Sequence, residues 1–175
     1  MANTNNILGV SSFELGAPGD GVMGVSLTNY PDVEVGSVNI EGSQANEQTI
    51  PTENSDAYIT INGEATPSSV TARLYGVTPT QMVELAGGEV NGTDGLWEAP
   101  KTIPNIYLSF RMKGQPINGK VGVLEMAYAK VTARLQGTVT KNGLPAVDVT
   151  LTANTPVSAA QVEGPPLRFG VEDAA

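Results

Sequence analysis

Strict alternation of apolar and polar side chains recurs along this chain and confines its fold more than any other feature. From Asn105 to Lys113, Ile106, Leu108, Phe110 and Met112 alternate with Tyr107, Ser109, Arg111 and Lys113. A period of two belongs to an extended strand with one buried and one wet face; a helix would scatter those apolar groups around its circumference. Ala129 to Gln136 repeats the design, with Val131, Ala133 and Leu135 opposed by Lys130, Thr132, Arg134 and Gln136. Ala146 to Ala153 (Val147, Val149, Leu151), Ala57 to Gly63 (Ile59, Ile61) and Ser69 to Gly76 (Val70, Ala72, Leu74) follow it too. Between Val33 and Ile40 the apolar phase slips by one across Gly36-Ser37, which points to a β-bulge. Val22 to Leu27 and Lys120 to Met126 are shorter strand candidates.

Turn chemistry separates these runs. Asn118-Gly119 and Asn142-Gly143 are hairpin signals, because both central residues of a type I′ turn need φ > 0. Asn62-Gly63 is a weaker one, since it falls inside a continuing strand pattern. One segment reads as a helix, about 79–86: Thr78 caps it, Pro79 occupies its first position, Met82 and Leu85 form an apolar stripe, and Gly87-Gly88 stops it. The expected fold is mainly β, an antiparallel β-sandwich or partial barrel flanked by one short α-helix, with a long loop and extended termini. An N-terminal arm over 1–12 leads into a sandwich domain over 13–153, and 154–175 forms a C-terminal extended segment. The long loop, 42–55 (GSQANEQTIPTENS), is polar and acidic, with Ile50 its only large apolar side chain. Loops of that length within a compact domain are usually functional or disordered. Three appendages on a small sandwich suggest a subunit that reaches into its neighbours.

What the chain lacks narrows its chemistry. Among its 175 residues there is no Cys and no His, which removes disulfides, thiol nucleophiles, Zn–thiolate sites and the usual general base near neutral pH. Paired carboxylates, or Ser with Lys, stay open, but with 18 acids some pair will always meet glycosidase spacing, so the pattern has no specificity. The single Trp97 is read as packing the helix against the sandwich rather than stacking a sugar, and Arg73 as an ion-pair partner rather than a catalytic group. Gly87 to Gly95 follows a helix instead of opening one and lacks a GKS or GKT ending, so it reads as a turn-forming loop. Asn91, Asp94 and Glu98 match no EF-hand spacing. No catalytic, metal or cofactor-binding residue is assigned, and no cofactor is expected. The opening MANTNNILGVSS does not read as a signal peptide, and no window approaches the roughly 20 apolar residues that span a bilayer, so no membrane partner is expected.

Charge is partitioned. All nine basic residues lie at or after Arg73, whereas Met1 to Ala72 holds nine acids, so the net charge of −9 resides in the first two-fifths. Phosphate binding wants the opposite sign, and base stacking wants more aromatics than the 5% present. A solubilising surface is the plain reading of such an excess.

The run TINGEATPSSVTARLYGVTPTQMVELAGGEVNGTDGLWEAP (Thr60 to Pro100) resembles the middle of phage major tail tube proteins of the long, non-contractile type, within the wider tail-tube and injection-tube superfamily. In them a strand leads to a short helix ending in GG and then to a loop containing a Trp. The strands IYLSFRM (Ile106 to Met112) and AYAKVTARLQGTVTKNGLPAVDVTLTA (Ala127 to Ala153) look like those that close that fold, so the resemblance covers about Ala57 to Ala153. The N-terminal region matches in kind: acidic, strand, long loop, strand.

The resemblance implies a structural subunit and no enzyme. Such proteins form a β-sandwich flanked by a helix, join as hexameric rings whose inner sheets close into a barrel, and stack into a tube. The tube encloses a tape measure protein, meets tail terminator and tail tip proteins, and conducts DNA without specific binding. It is assembled in the host cytoplasm and resides in the virion. An acidic lumen would keep a duplex off the wall over a Debye length of about 8–10 Å, and Glu34, Glu41 and Glu64 are the candidate wall residues. Arg111 and Lys113 are then expected to pair with nearby acids. The long loop, with Gln44, Asn46, Glu47, Ile50 and Glu53, is the candidate inter-ring contact. An Ig-like β-sandwich serving as a binding or decoration module of a virion or cell surface is the alternative.

Overall fold

The structure, a computed structural model, describes residues 6–141 and 143–174, so Met1–Asn5 of the N-terminal arm and Asn142 of the second Asn-Gly turn lie outside the described residues. In chain order the elements are β1 (Ser12–Gly16), β2 (Thr28–Asn29), β3 (Asn39–Glu41), β4 (Gln44–Thr52), β5 (Ser55–Thr66), β6 (Ser69–Leu74), α1 (Pro79–Ala86), β7 (Glu89–Val90), β8 (Trp97–Glu98), β9 (Ile106–Lys113), β10 (Lys120–Gln136), β11 (Ala146–Ala153) and β12 (Arg168–Asp173). Eight strands form one antiparallel sheet in the order β2-β1-β9-β10-β11-β6-β3, with β12 on β10; β4-β5 and β7-β8 are separate hairpins. Among the described residues the protein is a mainly β, antiparallel sandwich with one short helix, and no barrel closes.

The sheet curls because β10 serves two sets of neighbours. Its first half pairs with β9 and β12, and its second half with β9 and β11. The register with β9 shifts between Met126 and Ala129, where such an irregularity bends and twists a strand. The two strand candidates Lys120 to Met126 and Ala129 to Gln136 are therefore one element. Around the bend sits a single core: Phe13 and Leu15 of β1, Val70 and Leu74 of β6, Phe110 and Met112 of β9, Val149 and Leu151 of β11, and Met82 and Leu85 of α1. Phe13 and Phe110 meet tilted, with centroids 4.9 Å apart.

Local signals hold where the chemistry is local. Thr78 and Gln81 form a reciprocal capping box, with the Gln81 N–H donating to Thr78 Oγ1 at 3.3 Å and the Thr78 N–H to Gln81 Oε1 at 2.9 Å. Gly87 ends the helix at φ 76°, and Trp97 Nε1–H donates to the Gly87 carbonyl at 2.8 Å, pinning the helix end to the β7–β8 hairpin. Asn118 and Gly119, at φ 49° and 75°, make the expected two-residue turn.

Other expectations are corrected. Residues 42–55, read as a long loop, contain β4 and the turn that joins it to β5. Neither face of this ribbon enters the core, so the alternation that marks a strand against a core is missing. Val22 to Leu27 forms no strand; Val25 is fully exposed, and pairing with β1 begins only at Thr28. In Val33 to Ile40 the phase slip is a turn with Gly36 at φ 77°, leaving Val33 bridged to Leu74 and the strand to start at Asn39. The C-terminal segment ends as β12 against Lys120–Glu125 of β10. Before β1, Ile7 and Val10 pack against the core.

Candidate assembly surface

The β4–β5 hairpin carries the most unusual surface of the molecule. Its 12-residue strand spans roughly 40 Å at about 3.3 Å per residue. The register Ile50↔Ile59, Gln48↔Ile61 and Ala45↔Ala65 places Ala45, Ile50, Ala57, Ile59, Ile61 and Ala65 on one face. The opposite face carries Glu47, Thr49, Tyr58, Thr60, Asn62 and Glu64, with Thr49 and Thr60 hydroxyls 3.2 Å apart. The three isoleucines are 44%, 46% and 44% exposed. Each half-exposed side chain leaves roughly 1 kcal/mol of burial unrealised, and a lone two-stranded hairpin is at best marginally stable in water.

Of the candidate inter-ring residues, Gln44, Asn46, Glu47 and Ile50 lie on β4 and Glu53 at the hairpin tip. Sequence reasoning found this segment but not its partner strand as part of the same surface. The alternation puts Ile59 and Ile61 on one face of their strand, and only the register joins them to Ile50.

The candidate lumen acids do not share one environment. Glu34 accepts a hydrogen bond from Tyr75 OH at 2.8 Å and lies 3.6 Å from Arg73 Nε. Arg73 also donates to Asp148 at 2.7 and 3.3 Å, which holds the Asp148 carboxyl below the usual range. Arg73 is thus an ion-pair residue, as its position suggested. Glu41 is exposed on β3 opposite Ser69 and accepts from Asn39 Nδ2 at 3.1 Å. Glu64 lies apart, exposed on the hairpin. Glu34 and Glu41 flank β6, whose outward side continues across β11 and β10 as a row of hydroxyls, Thr71, Thr150 and Thr132. Lys130, Arg134 and Arg73 share that face with the acids, so it carries both signs.

Arg111 and Lys113 are each paired with an acid. Arg111 binds Glu125, which is 7% exposed and also lies 3.4 Å from Arg168 of β12. Lys113 meets Glu172 at 3.3 Å, and Lys120 meets Asp173. The last strand is thus held to β9 and β10 by three ion pairs besides its ladder. Glu125 is buried, so removing its arginine partners would leave an uncompensated carboxylate at a cost; the outer two pairs are exposed and worth little individually.

Two apolar recesses open on the body. One, of about 480 Å³, is lined by Ile7, Val10, Val33, Val35, Val38 and Ile40, with Glu34 its charged lining residue. The other, of about 330 Å³, lies between α1 and the end of β10, lined among others by Leu85, Trp97, Ile103, Pro104 and Leu135, with Arg134 its charged lining residue. Ile103 and Leu135 are 85% and 62% exposed.

Asn91, Asp94 and Glu98 come together, but around one another: Asn91 Nδ2 donates to Glu98 at 2.7 Å, and Asp94 accepts from the Leu96 N–H at 3.1 Å. These bonds close the Gly-rich turn. Among the described residues no group of three or more His, Cys, Asp or Glu is arranged to hold a metal ion, and no helix is long and apolar enough to cross a membrane. Compared with known families and curated proteins, the chain matches no family model and no curated sequence, so its surfaces are what speak for its function.

Proposed function

We propose that this protein is a structural subunit of a phage tail tube, assembling with identical copies into stacked, hexameric rings. The observation that carries the reading is the amphipathic β4–β5 hairpin, whose apolar face finds no cover on its own body. Exposed apolar surface on a projecting ribbon marks an interaction site. A sheet left open at β2 and β3 suits closure by neighbouring copies, which would satisfy edges that otherwise invite aggregation.

The charge partition fits transport of DNA through a hollow. A duplex carries one negative charge per about 1.7 Å of axis, so a wall rich in Lys or Arg would hold it by counterion release. Here the net charge of −9 opposes binding. Glu41 and Glu64 remain the candidate wall acids with no cation within 4.0 Å among the described residues; Glu34 is partly neutralised by Arg73. A tape measure protein would fill the hollow during assembly, and tail terminator and tip proteins would close its ends.

Negative-stain microscopy of the purified protein, alone and with a tape measure partner, tests the reading. Rings or tubes are the expected result. A protein that stays single under every assembly condition would instead fit an Ig-like decoration module, and tight binding of duplex DNA at ordinary salt would overturn the conduit.

A further inference from the structure

We infer that the outer edge of β12 is a docking strand for β12 of a second copy, the two pairing antiparallel about Gly170.

β12 lies at one margin of the sheet and leaves that margin open. Among the described residues it packs extensively only on β10. The Ala174 N–H donates to the Gly119 carbonyl at 2.9 Å, and antiparallel ladders alternate residue by residue. The backbone groups of Arg168, Gly170 and Glu172 therefore face β10, and those of Phe169, Val171 and Asp173 face outward. Among the described residues no strand lies beyond them. An edge of this kind takes up a further strand.

Two rows of side chains cross the sheet and stop here. On one face Arg111, Glu125 and Arg168 stand opposite one another on β9, β10 and β12. They alternate in sign and end on an arginine side chain that is 66% exposed. On the other face Met112, Leu124 and Phe169 form an apolar row; the first two are buried and Phe169 is 59% exposed. A strand that continues both rows must set a carboxylate opposite Arg168 and an apolar group opposite Phe169.

β12 meets that description itself. Its run RFGVE, Arg168 to Glu172, is self-complementary when reversed. Pairing centred on Gly170 sets Arg168 opposite Glu172 of the second copy and Phe169 opposite Val171 of the second copy, and two-fold symmetry repeats both pairs. Outward backbone groups then meet outward ones and close four hydrogen bonds. The neighbouring registers that keep such bonds, centred on Phe169 or Val171, leave Arg168 and Glu172 without opposite charges. Arg168 already lies 3.4 Å from Glu125, and Glu172 3.3 Å from Lys113. Each is still about half exposed or more, and guanidinium and carboxylate groups have capacity for a second partner. Gly170 has no left-handed φ, and a Cβ added to it would meet nothing within 4 Å, so its own chain does not require glycine there. At the centre of the pair, where facing Cα atoms come within about 4.5 Å, glycine leaves room for the flanking ion pairs. β3 is the rival edge, since it would set Glu41 opposite Arg168, but its three residues offer a shorter ladder. The contact is isologous and closes as a dimer instead of propagating, so it stands apart from the tube reading. One short strand is small beside the roughly 1,200 Å² of a stable complex, so the dimer exchanges and is read by trapping.

The chain has no cysteine, so Gly170→Cys in the full-length protein introduces a single thiol; Val35→Cys, 99% exposed elsewhere, is the comparison. Retained melting temperatures establish that both fold. Cα atoms about 4.5 Å apart suit a disulfide, and mild oxidation should give a 170–170 homodimer at least ~5-fold above the Val35→Cys product. Arg168→Glu is then added to one Gly170→Cys protein and Glu172→Arg to another of distinguishable mass. Each sets like charges across its own homodimer and should lower that yield about tenfold. Mixing them restores opposite charges across the heterodimer, whose yield should return to within about twofold; a strand merely loosened from β10 would not be rescued. Equal yields at 170 and 35, or no rescue on mixing, would overturn the pairing. So would a dominant 39–170 product when Asn39→Cys is mixed with Gly170→Cys, which would assign the edge to β3. Tubes seen by microscopy without a 170–170 link in any preparation would sink the pairing and leave the tube reading standing; the link without rings or tubes would do the reverse.

Discussion

Excision of the hairpin separates folding from assembly in one variant. Glu41 and Ser69 pair across β3 and β6 immediately outside it, so joining Gly42 to Pro67 leaves a three-residue connection, Gly42-Pro67-Ser68, between strands already in register. Ser68 keeps its role, its carbonyl accepting from the Ala153 N–H at 2.8 Å. Shortening the connection roughly ninefold is worth about 2 kcal/mol of loop-closure entropy, and the excised ribbon takes no core side chain with it. With a urea dependence of about 2 kcal/mol per molar, the midpoint of unfolding should hold or rise by up to ~1 M, while tubes vanish from negative stain. A midpoint lowered by 1 M or more would show that the ribbon braces the body, and intact tubes would remove it from assembly. Deleting 42–55 alone is a poorer variant, because it strips β5 of its partner and leaves a long bare edge prone to aggregate.

Leu85→Ala should destabilise the fold by about 3 kcal/mol in chemical denaturation, since Leu85 is fully buried where α1 meets the core; a loss under 1 kcal/mol would mean the helix is a detachable flap. Tyr30 is buried, and burial together with the Glu84 carboxylate, 3.3 Å away, raises its phenol above the ordinary value. Its contribution is present below about pH 10 and is lost as pH rises through the folded value, so spectrophotometric titration should find Tyr30 the last of the five tyrosines to ionise, and Tyr30→Phe should flatten the alkaline limb of stability. Asp148 behaves oppositely: the Arg73 hydrogen bond holds its carboxyl low, so its contribution is present above about pH 4 and is lost as pH falls through the folded value. Asp148→Asn should therefore make melting temperature less steep with pH below 4; an unchanged acid limb would refute that assignment.

How far the chain could be read depended on whether each signal was local. The helix was legible because Thr78, Pro79, Gln81 and Gly87 act within one turn of each other. β9 and β11 were legible because one face of each meets the core, which writes the alternation into the chain. β2, β3, β7 and β8 span two or three residues, too short for any period. β4 and β12 escaped because both are almost entirely exposed, so no burial disciplines their composition. The α1–β10 recess joins Leu85, Trp97 and Leu135 from three separate elements, and only tertiary pairing brings such residues together.

The pairing of β1 with β9 has a consequence for how the chain is made. Phe13 meets Met112 across that ladder, so at a synthesis rate of about 5–20 residues per second the first strand waits roughly 5–20 s for its mate to leave the ribosome. Until Arg73 is made, the emerged chain is free of bases, acidic, and includes the isoleucine-bearing ribbon. Mutual repulsion among nascent chains on one messenger would keep those ribbons from meeting prematurely. In the proposed tube the same carboxylates would serve twice, first between unfinished siblings and later against the polymer in the hollow.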